Sequence, residues 1–139
     1  MRTYDLDTAN ARIAEIRPLL VALRADRALV AEEKAALAAL EGRPDDLAAV
    51  GERDRREAAI RDAVERMERA VRSLTEWSVA LRDIESGLID LPALVNGIPV
   101  WLCWRLGEGT IGWWHAADEG FAGRKPIAEL PMGSGGRLS

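Results

Sequence analysis

Two rows of apolar residues, each stepping alternately by three and four positions, constrain this chain more than any other feature. The first runs Ile13, Ile16, Leu20, Leu23, Val30 and Leu37, and the second Ile60, Val64, Met67, Val71, Leu74 and Leu81. That spacing is the seam of a long helix packed on a partner. Between the rows lies Glu41-Gly42-Arg43-Pro44-Asp45-Asp46. It supplies a C′ glycine, a proline stop and a fresh acidic N-cap, so the two helices are joined by a short turn and run antiparallel. A coiled-coil-like antiparallel two-helix hairpin is expected over residues 1–86.

Local signals agree with this at most positions. Asp5 is placed to cap the first helix, with Asp7 in its first turn favourable to the helix dipole. Arg27 and Lys34 fall in phase with the first seam, which requires an edge where their heads reach water. Pro18 conflicts with a helix interior, yet the apolar phase continues across it. A kink within one helix is expected in preference to two helices. On the second helix Glu57/Arg61, Asp62/Arg66, Glu65/Arg69 and Glu68/Arg72 are spaced as i,i+4 pairs and mark a solvated face.

Leu19, Leu29, Leu40, Trp77 and Ile84 widen the apolar stripe beyond what a two-stranded seam needs. A further partner surface is therefore expected, and dimerisation into a four-helix bundle is the simplest supply of one. The downstream segment folding back over the Trp77 end is the other. On the first reading the chain is a non-enzymatic, self-associating interaction or scaffold protein. Whether it is also an enzyme is left open by the residues.

Charge excludes several partners. The net charge is −4, and Arg alternates with Asp/Glu through the first half without forming a basic stripe. Nucleic acid is not expected, because phosphate binding requires Lys and Arg gathered on one face. An anionic membrane surface is disfavoured on the same ground, and no apolar run approaches the roughly 20 residues that span a bilayer. The N-terminal residues lack the apolar stretch of a signal peptide, and the single cysteine, Cys103, has no internal disulfide partner. A cytoplasmic location is expected.

After Ser86-Gly87 the apolar period changes from 3.6 to 2, and four of the five tryptophans lie between positions 101 and 114. Residues 88–91, 100–106 and 110–115 read as three short strands, which makes the whole an α+β chain with a small three-stranded antiparallel β meander over 87–130 packed at one end of the hairpin. Asn96-Gly97 marks a turn before the second strand, and Gly107-Glu108-Gly109 closes a hairpin between the second and third. Two registers are open for that hairpin. A two-residue turn sets Trp104 against Trp113 and Leu102 against His115; a three-residue loop sets Trp104 against Gly112 and Trp101 against His115. The first gives the more uniform apolar face and is favoured slightly. Residues 131–139, rich in Gly and Ser, have linker composition and are expected to be a disordered tail.

Leu102-Cys103-Trp104-Arg105-Leu106-Gly107-Glu108, followed by Ile111, Trp114-His115 and Asp118-Glu119-Gly120-Phe121-Ala122-Gly123-Arg124, resembles the C-terminal signature of a bacterial family, domain of unknown function 2203. Tyr4-Asp5-Leu6, Ala9-Asn10, Arg17-Pro18-Leu19-Leu20 and Gly87-Leu88-Ile89-Asp90-Leu91-Pro92 are similar to its other segments. The resemblance extends to about residue 127 and implies no assigned activity.

His115, the only histidine, ends the third strand, with Asp118 and Glu119 just beyond it and Cys103 and Asp90 on neighbouring strands. These are ligand types for a divalent metal such as zinc, and three protein donors with one open position is the pattern of a catalytic site. The spacing lacks paired cysteines or histidines, so the signal is weak. The plain structural reading has His115 bonded to Asp118 or Asp90, Cys103 as a small core residue and Asp118-Glu119-Gly120 as a turn. A third reading is a small anionic-ligand site, with Trp101 or Trp114 as a flat wall and Arg105, His115 and Arg124 as anchors. A Cys103–His115 nucleophilic dyad has little support, because burial in an apolar strand keeps a thiol protonated.

Overall fold

The computed structural model describes residues 2–43 and 46–130. It shows two long helices followed by an antiparallel five-stranded sheet, an α+β arrangement. Pro44 and Asp45 of the expected turn, and the expected disordered tail at 131–139, lie outside the described residues.

α1 spans Leu6–Ala39 and α2 spans Leu47–Glu76. Asp5 caps α1: its carboxylate accepts the Thr8 N–H at 2.7 Å while the Thr8 hydroxyl accepts the Asp5 N–H at 3.0 Å, two otherwise orphaned donors satisfied reciprocally. That bonding lowers the Asp5 carboxyl below its ordinary range. Asp46 caps α2 by accepting the Ala49 N–H at 2.7 Å, and Gly42, with φ +82°, takes the left-handed conformation expected after α1. Pro18 lies inside a single unbroken helix, as the phase predicts.

The helices are joined side by side by Asp26–Arg66 (2.9 Å) and Glu33–Arg56 (3.1 Å). One index falls as the other rises, so the pair is antiparallel. Arg66 thus turns across to α1 and is not held by Asp62 on its own helix. Arg27 is half-exposed and meets Glu85 at 3.5 Å, and Lys34 is exposed, so both seam cations reach water.

α2 ends ten residues before the expected boundary at 86. Trp77 caps it, Ser78 turns the chain with φ +59°, and Ala80–Asp83 forms strand β1. Leu81, read as continuing the α2 stripe, therefore belongs to the sheet, and Ile84 to the turn that follows β1. Leu81 follows Leu74 by seven residues, a spacing that fits a heptad whatever the backbone does, and a left-handed serine leaves no mark in the sequence.

The sheet has five strands where three were expected. After β1 come β2 (Leu88–Val95), β3 (Ile98–Arg105), β4 (Trp113–Ala116) and β5 (Lys125–Pro126), hydrogen-bonded in chain order. β2 continues through Pro92, where a central strand is not expected to tolerate proline. Tolerance follows because β1 pairs only as far as Asp90; beyond it no described strand pairs with Pro92 on that side, and the N-terminal segment covers it, with the Pro92 carbonyl accepting the Tyr4 N–H at 2.8 Å. Asn96 and Gly97, with φ +53° and +79°, form the two-residue turn that pairs Val95 with Ile98.

Between β3 and β4 the register sets Trp101 against His115 and Leu102 against Trp114, the less favoured of the two alternatives. β4 begins three residues later than expected because the backbone of 110–112 is engaged elsewhere. Ile111 N–H donates to Asn10 Oδ1 of α1 at 2.8 Å, and the Gly112 carbonyl accepts Ile127 N–H at 2.9 Å.

One face of the sheet packs on the first half of α1 and the end of α2. Ile13, Ile16, Leu20, Leu23 and Leu74 meet Ile89, Leu91, Leu102 and Trp104 in a single buried cluster, with Leu19, Trp77 and Ile84 half-buried against it. The chain's own sheet thus covers much of the stripe that called for another surface. Farther along the hairpin Val64 and Val71 stay about 40% exposed (38% and 42%). No described helix is long and apolar enough to cross a membrane.

Two glycines allow a direct test of turn strain. Gly87 has φ +66°, and a Cβ there would lie 2.5 Å from Leu106 Cγ; Gly97 has φ +79° with nothing within 4 Å. Gly97→Ala should cost about 1–2 kcal/mol from the left-handed backbone alone, and Gly87→Ala about 1 kcal/mol or more beyond that from the clash. Urea unfolding of the two variants measures the difference, and equal losses would show that Leu106 yields freely.

Candidate metal centre

The alternation that aims Ile89, Leu91, Leu102 and Trp104 at the helices necessarily aims Asp90, Trp101, Cys103, Trp113 and His115 at the opposite face. Asp90 on β2 is paired directly with Cys103 on β3, and His115 projects from β4, the next strand. All three are buried, at 3%, 1% and 2% exposure. Their donor atoms lie within 4.8 Å of one another.

Hydrogen bonding orients the imidazole. His115 Nδ1 is 2.9 Å from the Ala116 carbonyl, which can only accept, so Nδ1 carries a proton. Nε2 is then directed at Asp90 Oδ2, 3.0 Å away. Arg82 Nε donates to the same oxygen at 2.9 Å, while Asp90 Oδ1 is buried without a hydrogen-bond partner. A carboxylate and an imidazole lone pair cannot face each other at this distance without a positive charge between them, supplied by a proton or a metal ion. A histidine whose other N–H is fixed by a backbone carbonyl is the usual orientation of a ligating imidazole. Tetrahedral zinc with bonds of about 2.0–2.3 Å sets its donors roughly 3.3–3.8 Å apart, and the three donors here lie within 4.8 Å of one another.

Burial, and next the charge of Asp90, push the Cys103 thiol up to about 12. Without a cation it is therefore a neutral thiol and no nucleophile, which removes the Cys103–His115 dyad. A metal ion reverses this, since it displaces the thiol proton.

The three donors form the floor of a cavity of about 460 Å³ walled by Arg82, Leu88, Trp101 and Phe121, with residues 117–120 at its far side. Asp118 and Glu119 line this cavity outside the donor cluster. Glu119 is held by Lys125 Nζ at 2.8 Å and by the Ala116 N–H at 3.3 Å, bonds that lower its carboxyl below the ordinary range. Trp101 walls the cavity, whereas Trp114 turns to the core side, with Nε1 donating to the Pro126 carbonyl. Neither Arg105 nor Arg124 lines it. Arg105 stacks on Phe121, and Arg124 is bound to Glu108 at 3.0 Å and lies over Trp113 and Phe121.

Arg82, Leu88 and Phe121 were not singled out from the sequence. Arg82 was hidden by the reading of 77–84 as helix; the Leu81-Arg82 alternation after Trp77-Ser78 was the only signal, and it is two residues long.

Comparison with curated proteins and with solved structures finds no match. A family model described as uncharacterized conserved protein (DUF2203) matches residues 2–127, which takes in both helices, the sheet and all three donors. With most of its length matched, the chain belongs to the DUF2203 family of uncharacterized conserved proteins.

Proposed function

We propose that this protein binds a divalent transition-metal ion of the zinc class through Asp90, Cys103 and His115, with the remaining coordination position open to the cavity. The observation that carries this reading is the convergence of three buried donors around an imidazole whose Nδ1 is already committed to a carbonyl and a carboxylate oxygen that has no partner. Nitrogen, sulfur and carboxylate oxygen together suit a borderline-soft ion and not magnesium or calcium, which take oxygen. The closed arrangement of structural sites uses four protein ligands; three leave a place for an exchangeable one.

Calorimetric titration of metal-free protein with zinc should show one saturable site. His115→Ala and Cys103→Ala should each weaken it by about a hundredfold or more, with the fold retained by circular dichroism. Zinc at a hundred times its Kd should stabilise the protein by about 2.7 kcal/mol. Absence of saturable binding by the wild-type chain would remove the reading.

The Cys103 thiol adds a pH signature. Its folded-state value of about 12 keeps it protonated at neutral pH, so zinc must expel that proton. Binding should release at least one proton per ion, and affinity should fall at least tenfold per unit drop in pH. In the metal-free native protein Cys103 should resist alkylation, and rapid labelling under native conditions would contradict its burial.

A second reading is self-association of the hairpin. It is favoured by the apolar groove of Leu23, Val30, Val64, Met67 and Val71, flanked by Arg27, Glu68 and Arg72. A rim bearing both signs beside an apolar floor suits a second copy related by a two-fold axis, in which each Glu68 meets an arginine of the other. Sedimentation should give a dimer at micromolar concentration that Val64→Asp with Val71→Asp converts to a folded monomer. A wild-type monomer under those conditions would eliminate it.

A further inference from the structure

Among the described residues Arg82 is the one guanidinium on the wall of the cavity, and two contacts hold it there. Its Nε donates to Asp90 Oδ2 at 2.9 Å, and its plane lies over the Trp101 ring, 5.0 Å from the centroid. Among the described residues neither of its terminal Nη atoms has a hydrogen-bond partner. The Arg82 side chain is 45% exposed, and a guanidinium tied at Nε and seated over an indole keeps two parallel N–H donors of the kind that bind carboxylate or phosphate oxygens in pairs.

The charge of the site decides what such donors face. With a divalent ion on Asp90, thiolate Cys103 and neutral His115, the floor is neutral, and Arg82 leaves one net positive charge. Glu119 is balanced by its ion pair with Lys125. Asp118 is exposed at the rim, where water and salt screen it. A cavity of about 460 Å³ is large enough for a small molecule.

We infer that the cavity takes a small oxyanion ligand, a carboxylate or a phosphate, with one oxygen on the open position of the metal ion and another on the Nη pair of Arg82. The inference rests on the metal reading above and names the ligand class of that site. Trp101 acts as a positioning residue, since it orients the guanidinium without touching the anion. Arg82 replaces Arg105 and Arg124, which the sequence offered as anchors but which the fold commits to Phe121 and Glu108.

The experiment is calorimetric titration of the zinc-loaded full chain with inorganic phosphate and, separately, with acetate, repeated on metal-free protein. Saturable binding of either anion that weakens about tenfold or more on zinc removal is expected, and which anion saturates identifies the class. Arg82→Lys, which keeps the charge and loses the fork, should weaken anion binding about tenfold while zinc stoichiometry stays at one. Because Arg82 also supports Asp90, Trp101→Leu provides a second variant that leaves all three donors and the guanidinium in place; it too should weaken the anion and spare zinc. Zinc-loaded wild type that binds neither anion, or variants that bind it as tightly as wild type, would overturn the inference while leaving the metal site intact. Failure to bind zinc at all would overturn both.

Discussion

The packing of one sheet face against the N-terminal half of α1 is the contact on which the remainder of the molecule depends. Trp104 and Leu102 are fully buried between β3 and the helices, next to Ile16 and Leu20. The Trp104 indole N–H is satisfied by the Gly109 carbonyl at 2.8 Å, and Asn10 of α1 holds the Ile111 N–H, so the β3–β4 connection is tied to both layers. A strand that commits alternate residues to such a core has no freedom over the others. Asp90, Cys103 and His115 share the outer face because Ile89, Leu102 and Trp114 are required on the inner one.

That coupling makes the polar cluster costly and well defined. Three potential electron-pair donors are buried together, and among the described residues Arg82 is the guanidinium set against them, an arrangement that calls for a proton or a metal ion between Asp90 and His115. Segment 117–121 encloses it from the far side, and Phe121 is held there between Arg105 and Arg124. Arg105 and Arg124, which look like anion anchors in the sequence, lie against Phe121 outside the lining of the cavity, and the arginine on the cavity wall comes from a strand that the sequence disguised as helix.

Much of the architecture was legible. Asp5, Gly42, Asp46 and the three-four spacing carry physical information about caps, turns and seams within a few residues of where they act, and the hairpin follows them. The second half of the chain was less so. Ser78 in the left-handed region, the seven-residue coincidence of Leu74 and Leu81, and the diversion of 110–112 to Asn10 all depend on partners far away in the chain. The register choice failed for the same reason: a uniform apolar face was the better local guess, but the sheet places Trp101, not Leu102, opposite His115.

The residues alone determined that the chain forms two capped amphipathic helices and then a short-strand meander, that Cys103 has no disulfide partner within this sequence, and that a few ligand-type side chains lie close in sequence order. Tertiary structure alone decided that Asp90, Cys103 and His115 meet while Asp118, Glu119, Arg105 and Arg124 do not join them, because convergence across strands is a matter of register and of which face the helices claim. Local spacing encodes caps and periods. The meeting of donors from three strands depends on backbone pairing and on contacts about a hundred residues apart, such as Asn10 with Ile111.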